Sequence, residues 1–491
     1  MDAEPMTSVA SARRPSTARR VAGRLLIASA VVCVALGTVL MLAPSQQRAE
    51  APLVPVVPAA PPAPAPGAQA RAAVLGGLPA ALPDLAMLIG EREAYLRVHP
   101  KDARSWAVLG AAYVEQGRRV ADAAYYPRAE EALRTSLRTR PKDNAEALDG
   151  LAALANARRD FPAAREWGEE SLKLAPKRWT TYPLLIDAYT GLGDYKAARG
   201  TLDKLMALHH GPAVQARAAA VYRDRGWRED AAAMLSDAAA GARDPAEQAA
   251  YQEQAGELAW ERGDREEALR RFREAVRLDP DQRAAQAGQG RVLAALGRTS
   301  EALAAYQAAL AKQPLPQYAL ELGELYESLG LEHAARVQYD LLRARVDNAA
   351  AGGADEELLL GRFEADHGDA MDAVERLRAE WERQPGIAVA DALGWALHRA
   401  GDDEEALKYA TIATDKDHGG GVRSAPYAYH RGMIERQLEL TGPASRHLQE
   451  ALRINPYFSP LAVPAARTAL ARLGEPPDVG LGEEDAGSEQ R

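Results

Sequence analysis

QEQAGELAWERGDREEALRRFREAVRLDP, residues Gln252 to Pro280, decides the fold. It reads as two antiparallel helices joined by a tight turn. Gly263 stops the first helix, because glycine adopts the left-handed backbone of a helix end. Asp264 starts the next, because its side chain accepts from the free amides of a helix start. Pro280 ends the second helix, having no N–H and a ring that clashes with the preceding turn. Small residues stand where the helices must touch. Gly256 on the first is expected to face Ala268 and Ala275 on the second.

The pattern returns along most of the chain. The alanine that packs each second helix against its first recurs at 129, 164, 198, 231, 268, 302, 335, 373, 406 and 444, at spacings of 33 to 38 residues. A period near 34 is the tetratricopeptide length, and the chain resembles that family. In the first repeat the family positions are Trp106, Leu109-Gly110, Tyr113, Ala129, Leu133, Ser136 and Pro141, split by an insertion near Arg118–Tyr126. The fifth has Ala255-Gly256, Ala268, Phe272, Ala275 and Pro280. The seventh has Leu322-Gly323, Tyr326, Ala335 and Tyr339. The tenth has Arg431-Gly432, Ala444, Leu448, Ala451 and Pro456. The second repeat, with Gly168 at an aromatic position, and the fourth, without a closing proline, depart most. The resemblance implies an all-α chain, an α-solenoid over residues 84–474. It would be a right-handed superhelix of about ten tetratricopeptide repeat (TPR) helix pairs plus terminal capping helices. Pro83 to Pro100 reads as an N-terminal half-repeat, and 459–474 as a C-terminal cap with Arg467 and Arg472 outward.

Ahead of the array, residues 1–24 are polar and basic, expected on the cytoplasmic side. Leu25 to Ala43 is an uncharged apolar run of 19 residues. At about 1.5 Å per residue it matches one bilayer core, which reads as a transmembrane helix. Arginines 13 to 24 precede it, so the positive-inside rule puts the array outside. The expectation is a single-pass protein of bacterial envelope type with an extracytoplasmic array; the alternative is secretion after signal cleavage near Ala49–Ala51. Residues 44–83 are Pro/Ala-rich, and proline without period gives an extended spacer. Residues 475–491, EPPDVGLGEEDAGSEQR, are acidic and read as a disordered tail.

Composition narrows the function. Net charge is −9, and residues 1–42 carry about +3 of it, which leaves an acidic body. Nucleic acid needs a basic footprint and is not expected. The one cysteine, Cys33, permits no internal disulfide and no cysteine metal site. None of the nine histidines lies in an HExxH pattern, and His209-His210 are adjacent and diverge on a helix. Asp415-Lys416-Asp417-His418 with the glycines that follow lacks calcium-loop spacing. No phosphate loop or GxSxG occurs. No catalytic residue, metal or cofactor is expected.

The family resemblance implies that the first helix of each pair lines a concave groove. Carried over by position, it puts Trp260, Arg291, Arg362, Trp395, Tyr429 and Arg436 there as partner-binding candidates, with His398, Glu257, Glu324 and Asp391. Arginine and aromatic residues dominate binding hot spots. The expected function is a non-catalytic scaffold binding protein or peptide. The alternatives are an accessory subunit that positions a catalytic partner in envelope or polymer assembly, and a secreted enzyme with a composite site. A scaffold should show a long open groove; an enzyme, perturbed titratable groups in a deep pocket.

Overall fold

A computed structural model describes residues 66–416 and 421–474. The expectations for residues 1–24, 25–43, 44–65 and 475–491, and those for Asp417 and His418, fall outside the described residues.

Among the described residues there are 23 helices and no strand. α1 (Pro66–Gly76) and α2 (Leu82–Val98) come first. Ten pairs follow: α3 (Ala103–Val120) with α4 (Tyr125–Thr139), α5 (Ala145–Ala157) with α6 (Phe161–Leu174), α7 (Thr181–Gly191) with α8 (Tyr195–Leu208), α9 (Pro212–Asp224) with α10 (Arg228–Gly241), α11 (Pro245–Glu261) with α12 (Arg265–Leu278), α13 (Arg283–Ala295) with α14 (Thr299–Lys312), α15 (Pro316–Ser328) with α16 (Glu332–Ala351), α17 (Glu357–His367) with α18 (Ala370–Arg383), α19 (Ile387–Ala400) with α20 (Asp403–Thr414), and α21 (Ala425–Gln437) with α22 (Thr441–Ile454). α23 (Ala462–Leu473) closes the series. The ten anchoring alanines are all 2% exposed or less, so the repeat register holds throughout.

The local chemistry of the fifth pair is as read. Asp244 caps α11 by accepting from the amides of Ala246 and Glu247, and Asp264 caps α12 by accepting from Glu267. Gly263 has φ +80°, the left-handed turn that glycine adopts without strain. The helix contact differs from expectation. A Cβ on Gly256 would meet the Phe272 ring at 2.7 Å, and one on Gly288 of the next pair would meet it at 2.5 Å. Phe272 is fully buried between these two glycines, and Ala268 and Ala275 flank it. The same wedge recurs sixteen residues after four other inner-helix glycines: Tyr306 on Gly290, Tyr339 on Gly323, Leu377 on Gly361 and Leu448 on Gly432. Each glycine thus makes room for a large residue of its own partner helix. This interdigitation holds helices at the close spacing of a dense interior.

The N-terminal end also differs. α1 lies inside the expected spacer, because its alanines have the highest helix propensity and Pro66 suits a first helical turn. Ala70 packs with Leu85, Leu88, Val108 and Ala112, so α1 and α2 cover the first repeat as a whole pair.

The expected single-pass placement is corrected. No helix among the described residues is long and apolar enough to cross a membrane. The stretch that prompted the placement lies outside them, and the extracytoplasmic position of the array is not carried forward.

The largest departure is long-range. The superhelix touches itself at an offset of 192 to 195 residues, between five and six repeats. Turns within pairs of the first half rest on turns between pairs of the second half. The Arg158 side chain donates to Gly352 O (3.1 Å), and the Asp355 amide donates to Arg158 O (2.8 Å). The Ile387 amide donates to Tyr195 Oη (3.2 Å), and Asn455 Nδ2 donates to Trp260 O (2.7 Å). A Cβ on Gly193 would collide with Pro385 O, and one on Gly226 would lie 2.5 Å from Gly421 O. Arg119, only 5% exposed, reaches Asp279 (2.6 Å) and Gln282 (3.0 Å) at a shorter offset of 160 and 163 residues. The coil is therefore shut along its edge, and its concave face becomes the wall of a lumen.

Candidate functional site

The lumen is built from the first helix of each pair. Its inner face carries a polar ladder whose rungs join neighbouring repeats. Asp187 pairs with Arg217, and Glu261 with Arg223 (2.9 Å). Arg291 lies between Glu257 (2.7 Å) and Glu321 (2.9 Å), which also accepts from Tyr306 Oη (2.9 Å). His367 faces Glu324 (3.8 Å) and Glu327 (3.3 Å). Trp395 Nε1 donates to Asp366 (2.9 Å), and His430 Nδ1 contacts Asp391 (2.9 Å).

These side chains touch water but have protein on every side, and their titration reflects it. Burial raises the Glu257 and Glu324 carboxyls. Burial, reinforced by Glu257, pushes the Glu253 carboxyl up to about 8. At Asp224 burial pushes the carboxyl up to about 6, with Arg223 opposing and Glu261 adding. Burial alone would weaken the Arg291 charge, but Glu257 and Glu321 hold that guanidinium well above its ordinary range. Glu253, Glu257 and Glu261 follow one another at i, i+4, i+8 on α11, so they share one face of that helix.

Where the coil closes, a cavity of about 690 Å³ opens between two walls. One wall is the inner face of α11, α13 and α15, with Trp260, Arg291, Glu321, Leu325 and Leu329. The other comes from the second coil turn, residues 422–427 and 455–467, with Tyr427, Tyr457 and Phe458. Asn455 fastens the second wall to the first, and Arg265 covers the Tyr457 ring at 3.8 Å.

The six candidates divide. Trp260, Arg291 and Arg362 all line the cavity, although Trp260 is only 6% exposed and packs in the core of its own repeats. Arg362 donates only to Ala388 O (3.3 Å) and has no carboxylate partner among the described residues. Trp395 and Tyr429 are not presented to solvent, as the groove reading expected; they are 7% and 5% exposed. Their rings pack tilted against each other (5.6 Å), with Trp395 stacked on His430 and Tyr429 tilted against Phe458, inside the core of the last repeats. His398, on the same helix as Trp395, contacts Asp403. Arg436 is half-buried and stands outside the cavity lining, its Nε without a hydrogen-bond partner. Repeat register missed Glu253, Glu321 and Tyr306, and it missed Tyr427, Tyr457 and Phe458. The acidic i, i+4, i+8 stripe on α11 was the one readable signal. The second wall has none, because it reaches the cavity only through coil closure.

Among the described residues no group of three or more histidine, cysteine or carboxylate side chains could hold a metal. The ladder's charges are mostly paired with each other.

A sequence model of the tetratricopeptide repeat matches residues 125–178, 253–315 and 288–350. No curated protein matches the chain. Among solved structures it is similar to the human IFIT1 dimer with PPP-AAAA, at 17% identity and TM-score 0.44, over 63% of this chain and 72% of that one. It is similar to Cut9 of the APC/C hetero-tetramer Cut9–Hcn1, at 16% identity and TM-score 0.37, over 80% and 82%. PilF of Pseudomonas aeruginosa matches at 18% identity and TM-score 0.34, over 42% and 94%. These are likenesses of fold. Over the matched residues the chain carries tetratricopeptide repeats.

Proposed function

We propose that the array is a non-catalytic scaffold that holds an extended polypeptide segment of a partner protein in its lumen. The observation that carries this reading is the cavity between Trp260, Arg291 and Arg362 on one wall and Tyr457 and Phe458 on the other. Its volume falls within the roughly 300–1,000 Å³ of ordinary ligand clefts. Aromatic rings and arginines are the side chains that contribute most to binding. Five arginines and four glutamates line it, so its charge is nearly balanced and suits a mixed polar and apolar chain better than a polyanion. Arg362 offers unused donors to a carboxylate of that chain.

A closed lumen with raised carboxyls also meets the criterion set for an enzyme. One observation supports the scaffold instead: the shifted carboxyls of Glu257 and Glu324 are rungs of the ladder, occupied by Arg291 and His367.

The test places a photo-crosslinking residue at Tyr427, in the cavity, or at Arg270, exposed on α12, in intact cells. Captured proteins are identified, and the affinity of the captured segment is measured for wild type and Arg362→Ala. The reading expects capture from position 427 and a loss of about tenfold, near 1.4 kcal/mol, for the variant. Capture from position 270 alone, with Arg362→Ala binding as wild type, overturns it.

A further inference from the structure

The seam that closes the coil uses two edges. Turns within pairs form one, and turns between pairs form the other. At an offset of 192 to 195 residues, the seam runs out with Gly263, whose partner is Asn455. Among the described residues, no coil turn rests on the within-pair turns later in the chain. A Cβ on Gly297, Gly330 or Gly401 would meet nothing within 4 Å. The between-pair turns of the first half, near residues 99–102, 140–144, 175–180 and 209–212, are the matching free edge.

Both free edges carry what a covered edge would hide. Twelve large apolar side chains are the most exposed in the array, and seven of them sit on these edges alone. Leu331, Met371 and Leu440 are 41 to 64% exposed on the second-half edge. Val98, Leu174, Met206 and Leu208 are 36 to 73% exposed on the first-half edge. Burying them against a partner would remove apolar surface from water.

The charges match as well. Glu332, Asp369, Asp402, Glu404 and Glu439 stand exposed on the second-half edge. Lys101, Lys142, Lys177 and His210 stand exposed on the first-half edge, with Asp143 beside Lys142. Inside the molecule the seam is mixed: Arg119 and Arg159 on the within-pair side meet Asp279 and Glu356, whereas Arg228 on that side lies beside Arg423. The free acidic edge fits the free basic edge.

We infer that a second copy of this chain continues the coil. The second-half edge of one copy docks on the first-half edge of the next, head to tail, through the same kind of contact that closes the coil within one chain. The contact is heterologous, so each copy keeps one free edge and the assembly grows until it closes or is capped. The inference rests on the edges and is independent of what the lumen holds.

The test uses the full chain in mild detergent, which keeps the apolar stretch 25–43 from mediating association. Mass is followed by sedimentation velocity over a wide concentration range, and folding by circular dichroism. Wild type is expected to grow in mass with concentration. Leu331→Ser with Met371→Ser removes apolar contact from one edge, and Leu174→Ser with Leu208→Ser from the other. These side chains are 40 to 64% exposed, and each pair should weaken association by at least about tenfold. Each double variant alone should stay monomeric where wild type associates. An equimolar mixture of the two should stop at a dimer, because each then contributes its one intact edge. A wild type that is monomeric throughout, variants that associate as wild type does, or a mixture that gives no dimer overturns the inference.

Discussion

Gly193 and Gly297 occupy the same place in their repeats, with φ +73° and +74°. Replacing either with alanine puts a Cβ into left-handed backbone, at a cost of about 1–2 kcal/mol. There the equivalence ends. The new methyl at 297 meets nothing within 4 Å, whereas at 193 it strikes Pro385 O on the next coil turn, with Gly386 Cα 3.4 Å away. Overpacking of a formed contact costs about 1–3 kcal/mol. The alternative is for the seam to part there, which forfeits the Ile387–Tyr195 hydrogen bond, about 1 kcal/mol. Gly193→Ala should therefore lose about 1–3 kcal/mol more than Gly297→Ala. It should also expand the array, and Gly297→Ala should not. Urea unfolding followed by far-UV circular dichroism gives the first quantity, and small-angle scattering of both variants gives the second. Long arrays melt in parts, so the two variants are compared with each other and not with a two-state ideal. Equal destabilisation with equal radii of gyration would refute the seam.

Phe272→Ala should cost about 3–5 kcal/mol, because the glycines at 256 and 288 have no side chains to fill the space it leaves; a urea midpoint close to wild type would mean the wedge is misassigned. The Glu253 carboxyl titrates near 8 in the folded chain against an ordinary 4.5, so the native state holds the extra proton between those values. Its contribution is present below about pH 4.5 and is lost as pH rises toward 8. Melting curves should thus show wild type losing stability from pH 6 to pH 8 relative to Glu253→Gln, in which that slope is flattened; parallel profiles would count against an enclosed lumen.

The repeat was legible because its signal is local and recurs. Ten alanines picked at a period near 34 all proved buried, and the stop at Gly263 and start at Asp264 stood where their chemistry put them. The wedge was half-legible: Phe272 was in the pattern, but its seat between Gly256 and Gly288 depends on how two pairs stack. The closure of the coil was not legible. It depends on small rotations summed over five to six repeats, and no short stretch encodes that sum. The insertion near Arg118–Tyr126 and the long helix α16 were both visible as departures in length, yet nothing in the sequence showed that Ala123 and Gly352 would meet. The site followed the same division. Trp260, Arg291 and Arg362 were reached through register, whereas Trp395 and Tyr429 share that register but pack between repeats. Tyr457 and Phe458 arrive from a loop that register does not cover.

Closure of the coil is the central claim, and hydrogen exchange at two amides tests it most directly. Ile387 begins α19, and Asp355 precedes α17, so neither amide has a partner within its own helix. Their acceptors, Tyr195 Oη and Arg158 O, lie across the seam. If the coil is shut, both amides exchange slowly, and Tyr195→Phe releases Ile387 while leaving Asp355 protected. If both exchange as fast as the first-turn amides of an open array, the seam does not exist and the lumen is a groove.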